Sequence, residues 1–317
     1  MDSKNKDLGW FDLFNHIIII GVVLFAIFIA KNTLKMFPLI VAHIFVLIIV
    51  ASVAFHFWSP WWWTPVASNW GGMDDTILLT FWVTGVVFIA VCLFMAYCIW
   101  RYRYQKDRKA EYKPEDKKLE FHLTWLTTLG VIAMLAPGLV VWHKYVTVPE
   151  DALRVEVLAY QWGWKYRLPG EDNILGKTEI KFISDENPFG LNLKDPNSKD
   201  DLLVDDGDLH LEIDKPFKFL LRSIDVLHNF YVPQFRGKMD MVPGHVTYYW
   251  LTPIRTGDFE VLCAEFCGTG HYAMRGRVIV DNEKNYNQWL AQQITFEKML
   301  AQNKVDNKSL KLVKNIE

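Results

Sequence analysis

Four long apolar stretches open the chain, and short alternating stretches follow. Residues 17–30 are nearly pure apolar. Residues 39–57 are broken only by His43, Ser52 and His56, and residues 77–100 and 123–142 carry no charge. A helix needs about 20 such residues to cross a bilayer. The last three stretches reach that length, and the first does so only with its flanks. Those flanks lack the basic n-region and small-residue cleavage site of a signal peptide, so the pattern predicts four transmembrane helices. After Lys144 the period drops to two. Residues 154–159, 209–213, 217–221, 246–250, 259–262 and 277–280 alternate between Gly, Pro and Asp turns, which predicts an antiparallel sandwich or barrel. From Asn282 on, Trp289, Leu290, Ile294, Phe296, Met299 and Leu300 share one helical face, which predicts a peripheral helix, with a mobile Lys- and Asn-rich end after it. The expected fold is thus a membrane-anchored α region followed by an all-β domain.

Charge orients the anchor. The 101–120 loop holds Arg101, Arg103, Lys106, Arg108, Lys109, Lys113, Lys117 and Lys118, and the link between the first two stretches holds Lys31 and Lys35. The 58–75 loop has no basic residue. Positive loops stay inside, so the β domain is expected on the outer side, with Trp58, Trp61, Trp62 and Trp63 as an interfacial aromatic belt. The net charge of −2 over 317 residues argues against nucleic acid as a partner. Of the four cysteines, Cys92 and Cys98 lie in an apolar stretch and read as packing residues.

The remaining pair carries the chemistry. Cys263, Cys267, His271 and Met274 fall within twelve residues. Soft thiolate and thioether ligands beside imidazole suit copper. Two thiolates four residues apart can bridge two copper ions, and His228 can supply a second imidazole if the chain folds back. Spacing alone leaves two other readings open. One is a disulfide; the other is a Cys2His2 zinc site, which has no use for Met274.

The run Cys-x-Glu-x-Cys-Gly-x-x-His-x-x-Met resembles the binuclear copper A motif of cytochrome c oxidase subunit II, and the resemblance spans residues 75 to 282. It implies a cupredoxin-like Greek-key barrel and the ligands His228, Cys263, Glu265 through its backbone carbonyl, Cys267, His271 and Met274. It also implies a magnesium ion at the boundary with subunit I, held in part by the Glu265 carboxylate, and haems only in the partner subunit. The third and fourth helices match the family's hairpin, and the first two are extra. Domain boundaries follow at 1–60, 61–147, 148–282 and 283–317.

Gln161-Trp162-Gly163-Trp164 resembles the family's aromatic segment. The resemblance makes Trp162 the point where electrons enter from cytochrome c, and Trp164 a core residue after a bend near Gly163. Asp225 and Asp240 stand where the family has carboxylates near the docking face. Counting back from Ala136-Pro137-x-Leu139 puts Glu120 at the family's acidic mouth of a proton pathway. Leu123 stands where the family has Trp, which leaves His122 as a rival. His245 reads as interfacial. The acidic 169–208 insertion reads as a solvated run able to steer a basic cytochrome. The implied function is a haem-copper terminal oxidase subunit of a bacterial inner membrane, its copper domain periplasmic, serving reduction of oxygen coupled to proton translocation. The alternatives are a copper A subunit of a membrane nitric oxide reductase, a quinol oxidase subunit, which lacks these ligands, and a copper-storage domain.

Overall fold

The computed structural model describes residues 16–25, 33–59, 64–205 and 207–302. Before the β domain, the described residues form the helices α1 (His16–Phe25), α2 (Thr33–Trp58), α3 (Gly71–Arg101) and α4 (Lys117–Val146). Three of them, α2 to α4, are long and apolar enough to cross a membrane. The rest of the first stretch, Trp61 to Trp63 and the chain from 303 onward lie outside the described residues. Local chemistry sets the helix starts. Asp116 caps α4 by accepting from the Leu119 N–H at 3.1 Å. Asp74 sits in the first turn of α3, where a carboxylate complements the dipole.

The chain forms two compact units. One holds the residues up to 62 with 79–124, and the other holds 63–78 with 125–317. In the first, the apolar side chains of the helices are largely exposed in the isolated chain, as surfaces meant for lipid or a partner are.

The second unit is built on two sheets. The first has the order β11 (Ile294–Thr295), β3 (Leu202–Asp205), β2 (Gly163–Leu168), β1 (Leu153–Tyr160), β5 (Phe217–Ser223), β8 (Thr247–Leu251). The second has the order β4 (Leu209–Glu212), β10 (Arg275–Asp281), β9 (Gly257–Cys263), β6 (His228–Val232), β7 (Gly237–Met241). Pairing is antiparallel except β1 with β5 and β4 with β10. Alternation fixes the inward faces. Val155, Val157, Phe219 and Leu221 of one sheet share a fully buried core with Leu209, Leu211, Phe230, Val261 and Val278 of the other.

Two expectations change. The acidic insertion is not merely a solvated run. Arg167 is buried between Glu156 and Asp201 and also donates to the Gly176 carbonyl. Asp195 caps a short helical turn and accepts from Lys177 N–H. Phe189 and Leu191 pack with Leu158 and Phe296 in a second small core. Part of the acidic run therefore builds turns and pairs with buried arginine. The expected C-terminal helix is also broken. Helix α5 (Glu283–Leu290) gives way to β11, whose β-branched Ile294 and Thr295 pair with Leu203 and Leu202 at an open sheet edge.

Candidate metal centre

Sheet register brings the site together. Cys263 ends β9, and Met274 stands immediately before β10, its antiparallel neighbour, so the loop between them closes on itself. Cys263 N–H donates to the Met274 carbonyl at 3.2 Å. His228 begins β6, which pairs with β9 through Phe230 opposite Cys263. The fold-back that the second imidazole requires is thus a strand pairing.

The donor atoms converge. The two sulfurs lie 3.7 Å apart, far beyond a disulfide bond. His228 Nδ1 is 3.8 Å from Cys263 Sγ, and His271 Nδ1 is 3.6 Å from Cys267 Sγ. Met274 Sδ is 3.8 Å from Cys267 Sγ, and the Glu265 carbonyl is 3.2 Å from Cys263 Sγ. His228, Cys263, Cys267 and Met274 are buried. Two thiolates, two imidazoles, a thioether and a carbonyl are more donors than one tetrahedral zinc takes, and the thioether makes the soft set fit copper.

Outer contacts tune these donors. His228 Nε2 donates to Asp225 Oδ1 at 2.8 Å, which leaves Nδ1 free to ligate. Asp225 also accepts from Gln161 N–H at 2.6 Å and from Val226 N–H at 2.6 Å. Burial alone would push its pKa up, but these three hydrogen bonds, with the His228 charge, outweigh burial and hold it below the usual carboxylate range. Burial disfavours both thiolates. At Cys263 the hydrogen bonds with His228, the Glu265 and Asn229 backbone and His271 together outweigh it, bringing that thiol down to about 6. At Cys267 burial and the neighbouring Cys263 push the thiol up to about 12.

Trp162 sits on the two-residue hairpin tip between β1 and β2, where Tyr160 pairs with Gly163. The chain therefore reverses at Gln161 and Trp162, one step earlier than the expected bend. Trp162 is 43% exposed, whereas Trp164, on β2, is 5% exposed and packs against Phe230 and His228. The Trp162 Nε1 and Gln161 Nε2 both donate to the Cys267 carbonyl, at 3.2 and 2.7 Å. The indole lies so close to the ligand loop that a Cβ at Gly270 would stand 2.4 Å from its Cδ2. Gly268 adopts φ +118 beside the same ring, a conformation that needs glycine.

Asp240 is exposed on β7 and accepts from Asn229 Nδ2 at 2.5 Å. His245 is exposed in the β7–β8 turn. Glu120 and His122 belong to the other unit, exposed in the first turns of α4. Sequence reasoning gave Gln161 no role and read Asp225 only as a docking carboxylate. The Asp-x-x-His spacing before a strand was the available signal for the second. Asp225→Ala strands three donors. It is expected to weaken copper retention about tenfold in dialysis against a chelator, and retention equal to wild type would remove Asp225 from the support of His228.

The family described as cytochrome c oxidase subunit II, periplasmic domain, matches residues 153–282. An alternative cytochrome c oxidase subunit 2 of Bradyrhizobium diazoefficiens is 60% identical over 265 residues, covering 84% of this chain and 96% of that one. A cytochrome c oxidase subunit 2 of Cereibacter sphaeroides is 29% identical over 240 residues, covering 72% and 77%. Among solved structures, the periplasmic domain of subunit II of cytochrome oxidase of Bradyrhizobium japonicum matches with a TM-score of 0.34 and 25% identity, over 46% of this chain and 95% of that one.

Proposed function

The chain belongs to the cytochrome c oxidase subunit II family, and from that premise we propose that it accepts electrons from reduced cytochrome c and passes them to haem in the catalytic subunit of a haem-copper oxidase. The observation that supports this most is the meeting of six donor groups at one end of the β domain, under an exposed indole. His228, Cys263, Glu265 through its carbonyl, Cys267, His271 and Met274 are the proposed copper ligands. A bound copper pair supplies one-electron storage with little rearrangement around it.

The chain's own residues do the rest. Asp225 orients His228, and Gln161 ties the hairpin tip to the ligand loop. Trp162 presents its free face to a docking protein. Its hydrogen bond to the Cys267 carbonyl gives a short covalent and hydrogen-bonded route from the surface to a ligand. Asp240 offers an exposed carboxylate for a basic donor. Asp225 contributes charge there too, although its oxygens are engaged internally. The Glu265 carboxylate is the proposed magnesium ligand towards subunit I. Glu120, or its neighbour His122, is the proposed point where protons enter. The architecture that suits this role is four transmembrane helices, the first two added to a hairpin anchor, and a cupredoxin-like Greek-key barrel on the periplasmic side of an inner membrane. The domain boundaries proposed are those at 60, 147 and 282.

The test uses the intact complex in detergent with reduced cytochrome c, followed on oxygen and nitric oxide electrodes. Fast oxygen consumption with slow nitric oxide loss is the expected result. The reverse keeps electron transfer through this chain but assigns the complex to nitric oxide reduction and leaves Glu120 without its role.

A further inference from the structure

We propose that Arg236 is a positioning residue. It locks the strand carrying His228 to the first turn of α3 and so sets where the metal loops stand relative to the helix ends. Strand β6 runs from His228 to Val232 and enters the turn Pro233–Phe235, after which Arg236 takes a left-handed conformation with φ 55. That conformation is uncommon for a residue with a side chain and aims the guanidinium back across the turn.

All three nitrogens of the guanidinium are engaged. Nε and Nη2 donate to the two carboxylate oxygens of Asp74 at 2.7 and 2.8 Å. Nη1 donates to the Pro233 carbonyl at 2.7 Å and Nη2 to the Thr64 carbonyl at 2.6 Å. Two further bonds dock the same turn on the segment before α3. Ala67 N–H donates to the Gln234 carbonyl and Ser68 Oγ to the Phe235 carbonyl, each at 2.7 Å. The side chains of Arg236 and Asp74 are 13% and 19% exposed, so the pair is partly desolvated and its fork geometry matters. Lysine keeps the charge but loses the fork.

The joint grips one end of β6, and the proposed metal ligand His228 sits at the other, roughly 13 Å away along the strand. A tilt at the turn therefore moves the ligand loops without disturbing the bonds among them. The inference rests on the proposed electron-transfer role, since only then does the placement of those loops govern a rate.

The experiment compares wild type, Arg236→Ala and Arg236→Lys in the full chain. In the metal-free chain in detergent, amide hydrogen exchange is expected to rise over residues 64–70 and 233–236 in both variants, and to stay unchanged over 263–274. In the loaded complex the copper optical bands are expected to be unchanged, while flash-initiated electron transfer onward to haem slows several-fold in both variants. An unchanged onward rate in a variant with normal bands overturns the proposal. So does exchange that rises equally over 263–274, which means general loosening. If the alanine variant does not assemble, the lysine variant decides alone. A wild-type complex without copper bands would sink the electron-transfer reading instead, and the exchange pattern would then decide whether the joint exists.

Discussion

Cys267→Ser is expected to abolish the paired metal site while leaving the β domain folded. Cys267 is the hub of the donor set, with Cys263, His271 and Met274 all within 3.8 Å of its sulfur. Serine is close in size, so the buried position is filled and the cost to folding is small. Its hydroxyl is a hard donor that keeps its proton at neutral pH, and one of the two proposed thiolate ligands is lost. Copper bound per chain should fall from a pair to at most one, and the mixed-valence optical bands should vanish. Oxygen consumption by the complex should drop by at least on the order of 10², since outer-shell changes at metal sites already cost about 10- to 100-fold. Cys92→Ser, in α3, is the control and should change neither. Normal bands in Cys267→Ser would refute the ligand assignment. Loading also has a pH sign. Cys267 is pushed up to about 12 by burial and by Cys263, and the metal must displace that proton. Uptake by the metal-free chain therefore weakens as pH falls.

How much of this is visible in sequence depends on which forces are local. Three long helices are legible because a bilayer crossing leaves an uninterrupted apolar run. Six strands are legible because apolar and polar residues alternate along them, as in β5, where Phe217, Phe219, Leu221 and Ser223 are buried and the residues between them are not. Strand β6 is missed. Both faces of His228, Asn229 and Phe230 are buried, so no alternation survives. Strand β2 is missed because Trp162 and Trp164 suggest one aromatic segment, whereas Trp162 lies on the hairpin turn and only Trp164 in the strand. Four metal donors are legible because one short loop carries them. The meeting with His228 depends on the β6–β9 register, which no local pattern encodes. The insertion misleads because composition counts its acids without showing that Asp201 is buried against Arg167. At the C-terminus, helical periodicity loses to an unpaired sheet edge that takes up Ile294 and Thr295.

Trp162→Leu is expected to slow electron uptake from cytochrome c by roughly 30-fold or more, with copper content and optical bands near wild type. Truncating a central aromatic anchor at a docking face costs about 2 kcal/mol or more of binding, which is roughly 30-fold in affinity. The indole also supplies the hydrogen bond to the Cys267 carbonyl, and leucine cannot replace that link, so the loss of rate should exceed the loss of binding. Gln161 still holds the same carbonyl at 2.7 Å, and the ligands themselves are untouched, so the metal should stay. Trp162→Phe separates the two contributions. It keeps an aromatic face for docking but lacks the N–H, so affinity should recover more than rate. The measurement is stopped-flow mixing of reduced cytochrome c with the oxidised complex over a range of concentrations, which reports binding and transfer separately. Uptake at the wild-type rate in both variants would move the docking point elsewhere, and Asp240 would be the next position to change. Loss of copper in both variants would mean that the indole, packed against Gly268 and Gly270, acts as a lid on the metal loop rather than as the place where electrons enter.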